Sequence, residues 1–114
     1  MQLYGIPNCD TVKKARAWLD QAGLAHEFID FKKQPPTVSQ LQTWARKVGW
    51  EPLLNRAGTT WRKLEPVQQE LAVDELGALA LMATQSSLIK RPVAVWPDGS
   101  ITVGLPALQA KGAR

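Results

Sequence analysis

The pattern of apolar and polar positions at the start of the chain predicts a strand that runs into a helix. Residues 2–5 are a short strand-like stretch with Leu3 inward, and glycine, proline and asparagine end it as turn residues. From Thr11 onward, apolar residues recur at spacings of three and four, the period of an amphipathic helix. We expect Asp10 or Thr11 to cap the start of this helix and Gly23 to end it.

The segment HEFIDF, at positions 26–31, returns to alternation and predicts a second strand. A strand, a helix and a strand within about thirty residues form a βαβ unit. Because a crossover through a helix joins parallel strands, we expect the two strands to be parallel.

The middle third of the chain, about residues 35–88, has helical patterns throughout. One helix is predicted over 38–48, beginning at Thr37 or Ser39 and ending at Gly49. Two more are predicted at roughly 65–71 and 74–84, and the segment RAGTTWRKL before them is expected to be a polar loop. This third is therefore interpreted as a helical insertion.

The last part of the chain returns to strands. Apolar residues at 93–95 and 101–103 flank PDGS, whose Pro-Asp-Gly is a strong hairpin signal. The segment LPALQAKGAR, at 105–114, predicts a short closing helix. The predicted order is β-α-β, a helical insertion, then β-β-α, which defines an α/β fold.

Composition limits the class of protein. The chain has 114 residues, 45% of them hydrophobic and 21% charged, which is typical of one soluble globular domain covering 1–114. Its N-terminus, MQLYGIPN, lacks the features of a signal peptide, and no apolar run is long enough to span a membrane. We therefore expect a cytoplasmic protein.

Charge and cysteine content narrow the function classes further. The net charge of +4 comes with basic pairs rather than a long basic stripe, which favours small anions or acidic partners and makes nucleic acid an unlikely ligand. The single cysteine excludes an internal disulfide, a Cys-x-x-Cys pair and a cysteine-rich zinc site. We expect no metal site and no bound cofactor.

That single cysteine, Cys9, lies between the first strand and the first helix. Unpaired backbone N–H groups and the positive end of the helix dipole favour a thiolate at such a position. Cys9 is therefore a candidate nucleophile, although single cysteines are more often inert packing residues.

Three stretches of the chain resemble a known family: LYGIPNCDTVKKARAWL, GWEPLLNRAGTTWRKL and LIKRPV. They resemble the ArsC/Spx family of arsenate reductases and regulators, most closely its YffB-like branch of thiol reductases. The resemblance implies a thioredoxin-like fold with a helical insertion. It also implies a thiol oxidoreductase that uses glutathione as co-substrate, with glutaredoxin as a further partner.

The resemblance also implies roles for individual residues. Cys9 takes the place of the nucleophile, and Arg91 the place of the arginine in the family's Arg-Pro motif. Pro92 matches a proline that is usually cis beside the active site. A further arginine of the insertion loop corresponds to Arg56 or Arg62, with the register open between them.

Two more residues are candidates for substrate binding, and two positions depart from the family patterns. Asn8 precedes the cysteine, and Trp61 lies in the loop of the candidate arginines. Leu105 stands where arsenate reductases carry an arginine, which weakens arsenate reduction as an alternative. Val12 stands where Spx-type regulators often carry a second cysteine, so an Spx-like adaptor that binds RNA polymerase would lack an internal redox switch.

Overall fold

The strands and helix predicted at the N-terminus are present. The structure, a computed structural model, describes residues 1–113. Strand β1 covers Gln2–Gly5, helix α1 Asp10–Gln21 and strand β2 Glu27–Asp30. The two strands pair in parallel along their whole length, which confirms the βαβ unit.

The start of α1 differs from the prediction. Asp10 and Thr11 were candidates for its cap, and both are wrong, because the N-cap is Cys9, with an extended backbone at φ −125° and ψ 124°. The Cys9 carbonyl accepts the first intrahelical hydrogen bond, from Lys13 N, at 2.9 Å. The helix begins one residue before the apolar pattern could show it. Asp10, its first residue, is polar and exposed, and therefore gives no signal of helical period.

The remaining elements follow the predicted order. The helices of the middle third are α2, α3, α4 and α5, at Val38–Val48, Thr59–Arg62, Pro66–Leu71 and Glu75–Thr84, with 3₁₀ turns at Glu51–Leu53 and Ser86–Leu88. The last elements are β3, β4 and α6, at Val93–Val95, Ile101–Val103 and Leu105–Gly112. The final predicted helix extended to Arg114, which lies outside the described residues.

One part of the predicted polar loop is helical. Helix α3 is a single turn, Thr59–Arg62, within the segment RAGTTWRKL. One turn is too short to show a 3.6-residue period, so the hydrophobic pattern could not reveal it.

Within residues 1–113, four strands form one mixed sheet in the order β2-β1-β3-β4. β3 is antiparallel to both β1 and β4, and the second pairing is the predicted hairpin. Helices α1 and α6 pack together against one face of the sheet. The hydrophobic core there contains Leu3, Ala15, Leu19, Ala94, Trp96 and Leu108.

The chain divides into two compact units. The first contains Met1–Gln34 and the segment from Arg91 onward, and the second contains Pro35–Lys90. The predicted helical insertion at 35–88 falls within the second unit. In that unit α2 packs against α5, and an isolated antiparallel bridge pairs Leu54 with Ile89 near the end of the segment.

No helix within residues 1–113 combines the length and the apolar content required to cross a membrane.

Gly77 is required where α5 begins, because a Cβ atom there would lie 1.8 Å from the carbonyl oxygen of Leu71. We expect Gly77→Ala to lower the free energy of unfolding by about 1–3 kcal/mol, the usual range for overpacking. Helix propensity alone predicts the opposite sign, since alanine exceeds glycine by about 1 kcal/mol. Urea unfolding followed by circular dichroism measures the change. Ala80→Gly, at an exposed position of α5, is the propensity control, and a stabilised Gly77→Ala protein would contradict the packing argument.

Candidate active site

The sheet brings two segments that are distant in sequence, one near residue 9 and one near residue 91, next to each other. Tyr4 of β1 pairs with Val93 of β3 in antiparallel register. The end of β1 therefore lies beside the start of β3. Cys9 follows β1 and Arg91 precedes β3, so these two residues, distant in sequence, meet at the same edge of the first unit.

The Cys9 thiol lies at the N-terminus of α1 and is half-buried. Partial burial acts to raise the pKa of this thiol, because a charged sulfur loses hydration. Hydrogen bonds from the backbone N–H of Val12, from the Arg91 side chain and from the N–H of Thr11 act in the other direction, together with the positive charge of Arg91. The donors and the charge outweigh burial, and the pKa of Cys9 lies below its ordinary value.

Arg91 and Pro92 are held by the backbone around them. The peptide bond between them is cis, as the family resemblance implies. Pro92 is buried, and its carbonyl accepts a hydrogen bond from Gly104 N at 2.9 Å. Arg91 is half-buried and donates to the Cys9 sulfur. A fixed segment thus presents a permanent positive charge to the thiol.

Gly5 also contributes to the site, although its position in the sequence predicts only a turn residue. It is the buried last residue of β1, and a Cβ atom there would lie 2.8 Å from Cγ2 of Val12. The bare backbone of Gly5 therefore allows the first turn of α1 to pack closely on the strand. Because the N–H of Val12 helps to lower the pKa of the Cys9 thiol, this packing also positions the amide that favours the thiolate. A glycine at the end of an apolar strand is the signal that could have revealed it.

The candidate arginines of the insertion are held within the second unit. The Arg56 guanidinium lies 5.9 Å from the ring centroid of Trp50 and 5.5 Å from that of Trp61, and its Nη2 donates to the carbonyl of Ala72 at 3.1 Å. Nη1 of Arg62 donates to the carbonyl of Ala57 at 2.9 Å. Each arginine thus has a partner in its own unit, and the choice between them stays open.

The other candidate residues differ in exposure. Asn8 is exposed just before the cysteine, and Trp61 is half-buried in α3. The substrate-binding roles of Asn8, Arg56 and Trp61 stay predictions. Leu105 is half-buried at the start of α6 and packs against the core of the first unit. Its position therefore contributes a hydrocarbon side chain to packing and no charge to the thiol.

No group of three or more histidine, cysteine, aspartate and glutamate side chains within residues 1–113 is arranged to hold a metal ion.

Comparisons with known proteins agree on one family. The model of the ArsC family matches residues 4–111 of the chain. The solved structure of a YFFB protein is 43% identical, with a TM-score of 0.88, and the match covers 99% of this chain and 98% of that one. The solution structure of an arsenate reductase (ArsC) related protein from Brucella melitensis is 44% identical, with a TM-score of 0.75, over 96% of this chain and 90% of that one.

Proteins matched by sequence extend the same relationship. A Haemophilus influenzae protein described as uncharacterized is 37% identical over 102 residues, which is 90% of this chain and 88% of that protein. An arsenate reductase of Neisseria meningitidis is 26% identical, over 93% of this chain and 91% of that protein. The regulator Spx 2 of Oceanobacillus iheyensis is also 26% identical, over 82% of this chain and 68% of that protein. The family resemblance and the thioredoxin-like fold are confirmed.

Removing the charge of Arg91 tests the electrostatics of the thiol. We expect Arg91→Gln to raise the pKa of Cys9, because the thiolate loses its positive neighbour. The fraction of thiolate at neutral pH then falls, and alkylation slows there. The pH dependence of the alkylation rate by iodoacetamide measures this shift. Arg16→Gln is the matched control, since the Arg16 guanidinium lies 4.3 Å from the centroid of the Phe28 ring and is not among the groups that shift the pKa of Cys9. An unchanged profile in folded Arg91→Gln protein would contradict the assigned contact.

Gly5→Ala tests the positioning of the Val12 amide. The added methyl group must displace Val12, so we expect a weaker hydrogen bond to sulfur and a higher pKa of Cys9. The same alkylation profile measures the change, and circular dichroism verifies folding. Gly99→Ala is the control for general destabilisation, because Gly99 has a positive φ of 85° but no atom close to its added Cβ. A folded Gly5→Ala protein with the wild-type profile would exclude this role.

Proposed function

The chain belongs to the ArsC family, and we propose that it is a thiol reductase that uses Cys9 as its nucleophile and glutathione as its reductant. Family membership supports thiol reductase chemistry. The observation that carries the proposal is the position of the Cys9 thiol at the start of α1, where the N–H groups of Val12 and Thr11 and the Arg91 side chain hold its pKa below the ordinary value. These donors favour the thiolate, which is the form of cysteine that attacks.

The need for an external thiol follows from the single cysteine. Once Cys9 forms a mixed disulfide, the chain has no second cysteine thiol to resolve it. Glutathione supplies a thiol together with two carboxylates, and a guanidinium is well suited to bind a carboxylate. Arg91 would therefore serve both the thiolate and the incoming anion. A reducing cytoplasm is the compartment that fits this chemistry.

The proposed reaction has two disulfide exchanges. In the first, the Cys9 thiolate attacks the glutathione sulfur of a mixed disulfide, a Cys9–glutathione bond forms, and the substrate leaves as its thiolate. In the second, the thiolate of another glutathione attacks this adduct, glutathione disulfide leaves, and the Cys9 thiolate is restored. In sum, one substrate disulfide is reduced and two glutathione moieties end as one disulfide.

The other candidate residues take supporting roles in this proposal. Pro92 fixes the backbone segment that carries Arg91. Asn8 is exposed beside the cysteine, where its amide could bind the peptide backbone of glutathione. Arg56 and Trp61, stacked together in the insertion, are proposed to contact the larger substrate. Glutaredoxin is a second source of the resolving thiol.

Arsenate reduction is the alternative within the same family. The arsenate reductase of Neisseria meningitidis supports it, because the relationship covers nearly the whole of both chains. Leu105 counts against it, since this side chain packs on the core and provides no positive charge for an oxyanion. A glutathione mixed disulfide needs less positive charge at the site than the arsenate oxyanion does, and this difference favours the leading proposal.

A non-catalytic adaptor is the alternative from another class. The relationship to Spx 2 supports it, and its expected partner is RNA polymerase. This role does not require a reactive thiol. The lowered pKa of Cys9 favours the enzyme.

Turnover of a glutathionylated peptide tests the proposed function. With glutathione, glutathione reductase and NADPH present, we expect NADPH consumption that depends on the protein and intact-mass detection of one glutathione on Cys9. We expect Cys9→Ser to abolish both signals, because the hydroxyl is not a comparable nucleophile. Arg16→Gln is expected to retain them, because Arg16 lies over the Phe28 ring and has no assigned role in the reaction. Replacing the peptide by arsenate, with glutathione and glutaredoxin present, measures the alternative activity.

The outcomes distinguish the three functions. Turnover with arsenate alone would support the arsenate reductase, and turnover with neither substrate, together with an ordinary thiol pKa, would remove the enzyme class. Retention of RNA polymerase binding by Cys9→Ser would then support the adaptor.

A further inference from the structure

The short corner between α4 and α5 exposes large apolar side chains. The exposed fractions are 68% for Val67, 52% for Leu71, 77% for Val73 and 73% for Leu76. These four are the exposed large hydrophobic residues among residues 1–113. We name them the apolar corner. Elsewhere in the described chain, side chains of this size are buried or half-buried, so their grouping within ten positions requires an explanation.

The four side chains belong to one region of the surface. Val67 and Leu71 are one turn apart in α4 and therefore share a face. The Leu71 carbonyl lies so close to Gly77 that a Cβ atom there would be 1.8 Å from it. This contact brings the start of α5, with Leu76, beside the end of α4. Val73 lies in the turn between the two helices.

Acidic residues lie in the same segment as the apolar corner. Four exposed carboxylates, at Glu65, Glu70, Asp74 and Glu75, alternate with its apolar residues along the chain, and we name them the acidic rim. No lysine or arginine occurs between Leu64 and Ile89. Asp74 also caps α5 by accepting from Gly77 N at 2.9 Å, a structural role that leaves its charge in place.

Cations approach this segment from its N-terminal side. Nη2 of Arg56 donates to the carbonyl of Ala72 at 3.1 Å, and Arg62 and Lys63 are exposed just before Leu64. These three charges offset part of the acidic rim, and its four carboxylates still exceed them. The chain as a whole has a net charge of +4, so the corner is locally opposite in sign to the rest of the protein.

We propose that the apolar corner docks another protein, through a segment of that protein whose apolar side chains are flanked by lysine and arginine. The exposed valines and leucines provide apolar contact, and the acidic rim selects the sign of the partner's charge. The pattern is that of a small protein interface, an apolar centre within a charged border.

Charge and composition disfavour the competing occupants. A second copy that used the same corner would bring acidic rims together, and like charges oppose such contact. A second copy that used another face would find no other exposed large apolar residues among the described positions. Anionic lipid surfaces and nucleic acids are repelled by the rim. A basic protein segment is the occupant that these observations favour.

Two synthetic helical peptides with the same stripe of leucines test the proposal, one with lysine and the other with glutamate at every polar position. Titration into the full ¹⁵N-labelled chain, followed by amide chemical shifts, gives both the affinity and the location. We expect the lysine peptide to shift amides of residues 65–77 and the glutamate peptide to leave them unchanged. Raising salt from about 0.05 M to about 0.5 M should weaken binding, because screening reduces the attraction.

Variants separate the apolar and the charged contributions. We expect Val73→Ser with Leu76→Ser to weaken the lysine peptide by about tenfold or more. Glu70→Gln with Glu75→Gln should reduce both affinity and salt dependence. Ala107→Ser with Ala110→Ser, at exposed positions of α6, is the matched control and should bind as the wild type does. Circular dichroism verifies that all variants are folded.

Several results would overturn the proposal. These are equal binding of the two peptides, shifts located outside residues 65–77, no binding of the lysine peptide, dimerisation through the corner in sedimentation, and preferential binding of anionic phospholipid vesicles. None of these measurements depends on the reactivity of Cys9, so the test stands apart from the proposed enzymatic function.

Discussion

The antiparallel pairing of β1 with β3 is the constraint on which the first unit depends. It joins the N-terminal βα segment to the C-terminal hairpin, which are separated in sequence by the whole of the second unit. The same pairing aligns Leu3 with Ala94, so both face the core under α1 and α6. It also places Arg91 beside the loop that carries Cys9. Core packing and thiol chemistry therefore share one structural cause.

Two opposing effects set the state of the thiol. Burial disfavours a charged sulfur, while amide donors and a guanidinium favour it. Val12 contributes to this balance in two ways, because its side chain packs against Gly5 while its backbone N–H lowers the pKa of the thiol. In a Cys-x-x-Cys motif this position holds the second thiol. Here it serves packing and electrostatics, which is consistent with a reaction that takes its second sulfur from another molecule.

The features that the sequence predicts are those with a periodic or local signal. Helix α1 and the hairpin around PDGS could be predicted because their apolar spacing and turn residues are local. The cap at Cys9 could not, since Asp10 is polar and the helix start has no apolar marker. The close packing of Gly77 on Leu71 depends on how two helices meet, which no pattern within either helix contains. Arg91 was found through family resemblance, because its proximity to Cys9 arises from strand pairing between distant segments.

The net charge of the chain does not show that acidic residues are concentrated in one exposed segment of the structure. Averaged over all residues, the excess of lysine and arginine favours anions, and Arg91 beside the thiol agrees with this. The segment from Glu65 to Leu76 has the opposite sign and carries the exposed apolar residues. The proposed glutathione site and the proposed docking surface would together require such local segregation, because a uniform surface of either sign would repel one of the two ligands. The charge of each segment therefore says more about its ligands than the net charge of the chain does. The net charge of +4 agrees with the positive thiol site and does not reveal the acidic segment.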